Sequence, residues 1–148
     1  MIKVIKADLS RLDELAPLFD AYRQFYKQDS NLDGSRQFLR ERLENNESII
    51  LVAIDDKDDA VGFTQLYPWF SSTRLKRTWI LNDLYVAASV RRQGVAKLLM
   101  DAAKDYAIET KNFALSLRTQ ISNLKAQALY EALGYVKDKD FYTYLLKV

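Results

Sequence analysis

Residues 90–99 read VRRQGVAKLL, and the fold turns on how this stretch is read. Two arginines and a glutamine precede Gly94, one of only four glycines in 148 residues. Behind it, Val95, Leu98, Leu99, Ala102, Ala103 and Tyr106 recur at helical spacing, which predicts an amphipathic helix over 94–109. In front of it, RTWILNDLYV (77–86) is rich in β-formers and apolar enough to be a central strand. A strand that leads into a glycine and then a helix delivers the helix's unpartnered N–H groups and the positive end of its dipole to one place. Gly94 lets a large anion approach that backbone, and Arg91 and Arg92 supply counter-charge, an arrangement suited to a phosphate or pyrophosphate. The plainer alternative leaves the arginines as solvated loop charges and Gly94 as a turn residue. The stretch lacks Gly-Lys-Ser/Thr and Gly-x-Gly-x-x-Gly, which excludes a nucleoside-triphosphate P-loop and the dinucleotide fingerprint.

Outward from this stretch the chain reads as strands and helices in turn. IKVIKA (2–7) alternates apolar and polar residues and predicts a first strand. Asp8 or Ser10 caps a helix reaching about residue 26, with Leu12, Leu15, Leu18, Phe19, Tyr22, Phe25 and Tyr26 on its apolar side. Pro17 is expected to kink or delay it. SNLDGS (30–35) is a turn and 35–45 a second helix. SIILVAI (48–54) is a strand, DDKDD (55–59) a charged hairpin turn, and AVGFTQLYPWF (60–70) the next strand. FALSL (113–117) is a strand, 123–133 a helix with Gly134 at its C-terminal cap, and FYTYLLK (141–147) a final strand. No repeat or linker interrupts the series, which predicts one domain over 1–148: a mixed α/β sheet with helices on both faces.

Composition narrows the chemistry. With 49% hydrophobic residues and 12% aromatics the chain supports a packed core. Twenty-two Lys+Arg against twenty Asp+Glu give a net charge of +2, too little for a broad field toward nucleic acid or anionic membrane. Cysteine and histidine are both absent, which excludes thiol catalysis, serine–histidine chemistry and metal sites built on those ligands; no metal is expected. No apolar run reaches the length of about 20 residues needed to span a membrane, and MIKVIKADLS (1–10) is unlike a signal peptide, so a cytoplasmic location is expected.

A second motif follows. In NLKAQALYEALGY (123–135), Asn123, Ala126 and Tyr130 fall at i, i+3 and i+7 on one helical face, while Leu129 and Leu133 mark a different, buried stripe. That face offers an amide, a small residue permitting close approach, and a phenol. An unperturbed phenol, with a pKa near 10, can protonate a departing thiolate whose thiol pKa is about 8.5. Together with LNDLYVAASVRRQGVAKLLMDAAKDYA (81–107), this stretch resembles the GNAT superfamily of acetyl-CoA-dependent N-acetyltransferases. The likeness extends along the chain in element order and is sharpest over 81–135. Arg91, Gly94 and Ala96 match the family's Arg/Gln-x-x-Gly-x-Gly/Ala pattern, and TWILNDLYV (78–86) is similar to its diamine, polyamine and histone-type branch.

The resemblance implies a mostly antiparallel sheet of six to seven strands flanked by about four helices, and acetyl-CoA as co-substrate. It places the coenzyme pyrophosphate against the amides of Arg92, Gln93, Gly94, Val95, Ala96 and Lys97. The backbone of Leu84, Tyr85 and Val86 would pair with the pantetheine arm, Asn123 and Ala126 would lie along it, and Tyr130 would stand near the sulfur. In that branch a glutamate occupies the position of Asn82.

Amide formation needs a neutral amine, a polarised thioester carbonyl and a proton for sulfur. Asp83, on the strand before the cofactor segment, is the first candidate for the base; the structural alternative is a carboxylate that braces a neighbouring loop. Asn82, expected on the opposite face, could position a water, and the N–H of Tyr85 or Val86 could hold the carbonyl oxygen. Tyr26, Trp69 and Trp79 remain open as acceptor-pocket residues, whereas Tyr22 and Phe25 read as core. The expected activity is acetyl transfer to a primary amine of a small molecule or protein; the alternative is a non-catalytic acyl-CoA sensor. The aromatic strand FYTYLLK predicts a homodimer.

Overall fold

Apolar residues fill every position of IILVAI, so β2 (Ile49–Ile54) is covered on both sides, and the sheet is built around it. The computed structural model describes all of residues 1–148, which divide into two compact units, Met1–Leu117 and Arg118–Val148. The first unit holds β1 (Lys3–Lys6), α1 (Leu12–Phe25), α2 (Leu32–Glu44), β2, β3 (Ala60–Ser71), β4 (Lys76–Val86), α3 (Val95–Glu109) and β5 (Leu115–Ser116). The strands lie in the order β1-β2-β3-β4-β5. The first four are antiparallel, and β5 joins β4 in parallel through Trp79↔Leu115 and Ile80↔Ser116. On one face Leu12, Leu15, Phe19 and Leu39 of α1 and α2 pack against Ile50, Val52, Ile54 and Phe63. On the other, Val95 and Leu99 of α3 pack against Ala53 and Val61. The mixed fold with helices on both faces is therefore as the sequence predicts.

The strand count is not. Five strands form rather than six to seven. FALSL contributes only Leu115–Ser116, and FYTYLLK forms no strand. Both segments carry β-forming residues, but a strand exists only where a neighbour completes its ladder. α1 differs from expectation at both ends. A single 3₁₀ turn, Leu9–Arg11, precedes it, with Asp8 Oδ1 accepting the Ser10 N–H at 2.9 Å, and the helix then continues across Pro17. Phe25, expected in the core, is 60% exposed: it sits at the end of α1, stacked edge-on against Tyr26 rather than facing the sheet.

Asp20 of α1 ties down the chain between the two helices. Its buried carboxylate accepts from Ser30 Oγ at 2.6 Å, the Asn31 N–H at 2.8 Å, Ser35 Oγ at 3.2 Å and Gln24 Nε2 at 3.2 Å. The bonds from Ser30 and Asn31 hold its pKa below the ordinary 3.8. That stability is present above the unfolded pKa and is lost as pH falls through the lower folded one. Asp20→Ala leaves these donors without their acceptor and should lower Tm by roughly 5–10 °C at pH 7, with a smaller deficit below pH 3.8. Thermal unfolding at the two pH values checks this.

The second unit contains α4 (Leu124–Ala132). Asn123 caps it, its Oδ1 accepting the Ala126 N–H at 3.3 Å. Gly134, at φ +93°, ends it as predicted: its N–H donates to Glu131 O, and that of Tyr135 to Tyr130 O. No residue of α4 is fully buried, so the stripe expected at Leu129 and Leu133 is only half-covered. No helix in the structure is long and apolar enough to cross a membrane.

Candidate active site

Two features of β4 shape the site. The first is a bulge: Gln65 pairs with Asp83 but Leu66 pairs with Leu81, so Asn82 is an extra residue. Regular alternation would set Asn82 and Asp83 on opposite faces. The bulge instead brings them together, and Asn82 Nδ2 donates to Asp83 Oδ1 at 3.0 Å. The second feature is a free edge. Beyond Ile80, β4 has no partner on the β5 side. Ala87 N–H donates to Val61 O at 2.8 Å, so ladder alternation places Tyr85 in a bonded pair with Phe63 and turns the N–H and C=O of Leu84 and Val86 outward. Of the expected backbone contacts, Leu84 and the Val86 N–H are open, Val86 O is taken by Arg91, and the amide of Tyr85 is used within the sheet.

The free edge runs into the start of α3. Gly94 adopts φ +75°, a left-handed conformation that favours glycine, and a Cβ there would meet nothing within 4 Å. No side chain caps α3 and its first turn holds no acid. The first backbone bond, from Leu98 N–H to Gly94 O, leaves the amides of Val95, Ala96 and Lys97 without intrahelical acceptors. Arg92, also left-handed at φ +66°, and Gln93 are exposed, and Arg92 has no ion-pair partner. Lys97 pairs with Asp101 at 2.7 Å. Arg91 turns back onto β4: its Nε donates to Val86 O at 3.2 Å and its guanidinium lies 5.8 Å from the Tyr85 ring centre.

On the face of α1 and α2, Asp83 is 3% exposed and takes part in no ion pair. Burial raises its pKa, while hydrogen bonds from Gln65, Tyr22 and Asn82 pull it down. Gln65 Nε2 donates to Asp83 Oδ2 at 2.5 Å, and Ser48 Oγ donates to Gln65 Oε1 at 2.7 Å. Burial, and then the Asp83 charge, raise the pKa of both Tyr22 and Tyr67, so their hydroxyls stay protonated. Tyr22, read from sequence as core, does pack on the core with its ring, yet its hydroxyl points to the bulge, donating to Asn82 O at 3.4 Å and near enough to Asp83 to pull that carboxyl's pKa down. Tyr26 extends the aromatic surface, its ring centre 5.1 Å from that of Tyr22. Trp69 is 60% exposed and shares the face of Gln65 and Tyr67. Trp79 is not an acceptor residue: it is 7% exposed, faces Tyr106 of α3 at 5.8 Å, and donates from Nε1 to Thr110 Oγ1. The bulge explains the error, because it shifts the alternation by one between Asp83 and Trp79. An open depression of about 650 Å³ lies beside Tyr67, lined also by Phe38, Arg42, Asn46, Glu47 and Pro68.

An open strand edge, a buried carboxyl on the same strand and a left-handed glycine at the start of the following helix thus lie close along the chain. The model of the acetyltransferase (GNAT) family matches residues 13–135. The chain belongs to the GNAT family. This GNAT chain is 46% identical over 147 residues to a protein of Bacillus subtilis (strain 168) described as an uncharacterized N-acetyltransferase, covering 99% of this chain and 98% of that one. It is 37% identical over 105 residues to a probable acetyltransferase of Haemophilus influenzae, covering 71% and 72%. A crystal structure of a probable acetyltransferase superposes with a TM-score of 0.94 at 46% identity, over 99% of this chain and 97% of that one. The GNAT chain is thus an acetyltransferase. Its sequence alone did not point to Gln65, Ser48, Tyr67 or Arg42, which come from separate elements and follow no motif spacing.

Proposed function

We propose that this chain, as a single N-acetyltransferase domain over 1–148, transfers an acetyl group from acetyl-CoA to a primary amine of a small molecule or protein, by direct attack in a ternary complex. The residues fit the coenzyme. Space is open above Gly94, the amides of Val95, Ala96 and Lys97 are unpaired, and Leu84 and Val86 turn backbone groups outward for a strand-like pantetheine arm. Arg92 and Gln93 flank that seat, and Arg91 must leave Val86 O for the edge to pair. Acetyl-CoA supplies the activated acyl group. The protein then has to align the amine, hold its proton and donate one to sulfur.

The observation that carries this reading is Asp83: a buried carboxyl met by two neutral amides, beside the Tyr22 hydroxyl and without a counter-ion, on the strand that leads to Gly94. An acceptor's ammonium is the charge such a group lacks, and burial raises the carboxyl's pKa, which makes it a stronger proton acceptor than an ordinary carboxylate. The acceptor's proton reaches it beside the Tyr22 hydroxyl, and Asn82 helps orient the carboxyl. Tyr26, Trp69 and the depression beside Tyr67 form the acceptor side. Turnover of acetyl-CoA against a panel of primary amines tests the proposal. Tight acetyl-CoA binding with no acceptor acetylated would favour the sensor instead.

The remaining roles rest on the family pattern. Asn123 keeps Nδ2 for the pantetheine arm while Oδ1 caps α4, Ala126 leaves room, and Tyr130 protonates the sulfur. Tyr130→Phe should lower kcat up to about 100-fold, the low end for a general acid because a thiolate leaves readily, with acetyl-CoA affinity unchanged. A full-rate mutant at saturating substrates would make the phenol a spectator.

We also propose a homodimer that uses residues 141–147. Phe141, Tyr142, Tyr144, Leu145 and Leu146 are 83% to 91% exposed, a run of apolar surface that a second copy would cover by strand pairing. Light scattering at high micromolar concentration should give twice the chain mass; a monomer there removes this reading.

A further inference from the structure

A glutamine with no exposed surface in the middle of β3 needs a reason. Gln65 is 0% exposed, flanked along its face by Phe63 and Tyr67, and a buried amide is costly unless its donors and acceptor are met. Its partners come from two other places in the fold. Ser48, 5% exposed, stands just before β2 and donates to Oε1 at 2.7 Å. Asp83 faces Gln65 across the β3–β4 ladder and accepts from Nε2 at 2.5 Å. We propose that Gln65, with the far end of its amide met by Ser48, is a positioning residue that holds Asp83 ready to take the acceptor's proton. This rests on the reading of Asp83 as the base.

The two ends of an amide have nearly the same shape, so Gln65 alone can turn either way. An ionised carboxylate only accepts hydrogen bonds. It is held if Nε2 faces it and repelled if Oε1 does. The charge on Asp83 settles the orientation by drawing Nε2 to itself, and the Ser48 hydroxyl meets the other end by donating to Oε1. Once Asp83 has taken the proton, its O–H can donate to the turned amide oxygen, while Nε2 donates to Ser48 Oγ. A hydroxyl can be donor in one state and acceptor in the other, so the Gln65 amide keeps a partner at each end in either protonation state. Among the groups that meet Asp83, Gln65 is the fully buried amide. Asn82 from β4 donates to the carboxyl, the hydroxyls of Tyr22 from α1 and Tyr67 from β3 stand near it, and Arg42 from α2 acts on Tyr67 but pairs with Glu41 and Glu47.

The test follows the Asp83 carboxyl directly by carbon-13 NMR titration in the full-length protein, with Asp83→Asn assigning the resonance. Gln65→Met keeps the shape and removes the donor. It should raise the Asp83 midpoint by about one to two pH units, because a bond to the charged form is worth more than one to the neutral form. The acidic limb of kcat/KM should move with it, and acetyl-CoA affinity should stay within about twofold. Ser48→Ala should raise the midpoint by less, and Ser48→Thr should restore it. An unmoved midpoint in Gln65→Met overturns the proposal; if that variant fails to fold, equal midpoints in Ser48→Ala and wild type overturn it. A midpoint that moves in Gln65→Met while Asp83→Asn keeps full activity means that the base reading has failed instead.

Discussion

Gly94→Glu is expected to weaken acetyl-CoA binding by at least about 100-fold, or 2.7 kcal/mol. Two effects add. A side chain at φ +75° costs about 1–2 kcal/mol of backbone strain, which loosens the start of α3. The larger effect is charge: a carboxylate about 4 Å from a pyrophosphate oxygen opposes it by about 4 kcal/mol at the effective dielectric of a protein surface. Nothing lies within 4 Å of the added Cβ, so the fold should survive and the loss belongs to the ligand. Gly94→Gln separates the contributions, keeping bulk and strain but not charge, and should retain measurably tighter binding than Gly94→Glu. Isothermal calorimetry decides. Affinity unchanged in Gly94→Glu removes the pyrophosphate seat from α3.

What the sequence made legible depended on whether the information was local. Gly94 was legible because a left-handed residue between a strand and a helix leaves its mark in one residue type and one helical period. Gly134 was legible for the same reason. The central strands were legible because IILVAI is apolar over its whole length and TWILNDLYV is rich in β-formers, while their antiparallel pairing came from the resemblance. Asn82 was not, since a bulge arises from the mismatch of two strands and neither strand records it alone. That one residue misplaced both Asn82 and Trp79. The final strand failed differently. FYTYLLK has the propensity of a strand, but propensity does not supply the neighbour a ladder requires. Gln65 and Ser48 were hidden because a polar side chain in a strand marks itself as functional only when its burial is known.

Asp83→Asn should separate activity from stability. If Asp83 is the base, kcat/KM falls by about 10²–10⁴ and loses its acidic limb, while acetyl-CoA affinity holds. Stability should move the other way. Burial raises the pKa of Asp83 in the folded protein above the ordinary 3.8, although Gln65, Tyr22 and Asn82 each donate to its charged form. A carboxyl whose folded pKa is raised favours the folded state only while it is protonated. As pH rises from 3.8 through the higher folded value, the unfolded chain ionises first and the native state of the wild type loses stability. Asparagine does not ionise and escapes that loss. The Tm of Asp83→Asn relative to wild type should therefore climb across this interval and level off above it, giving a mutant that is at least as stable as wild type at pH 8 yet nearly inactive. Paired thermal melts and initial rates at pH 4.5 and pH 8 measure both quantities. A mutant that is less stable at pH 8 than at pH 4.5, relative to wild type, would mark Asp83 as a structural brace whose ionised form the fold prefers.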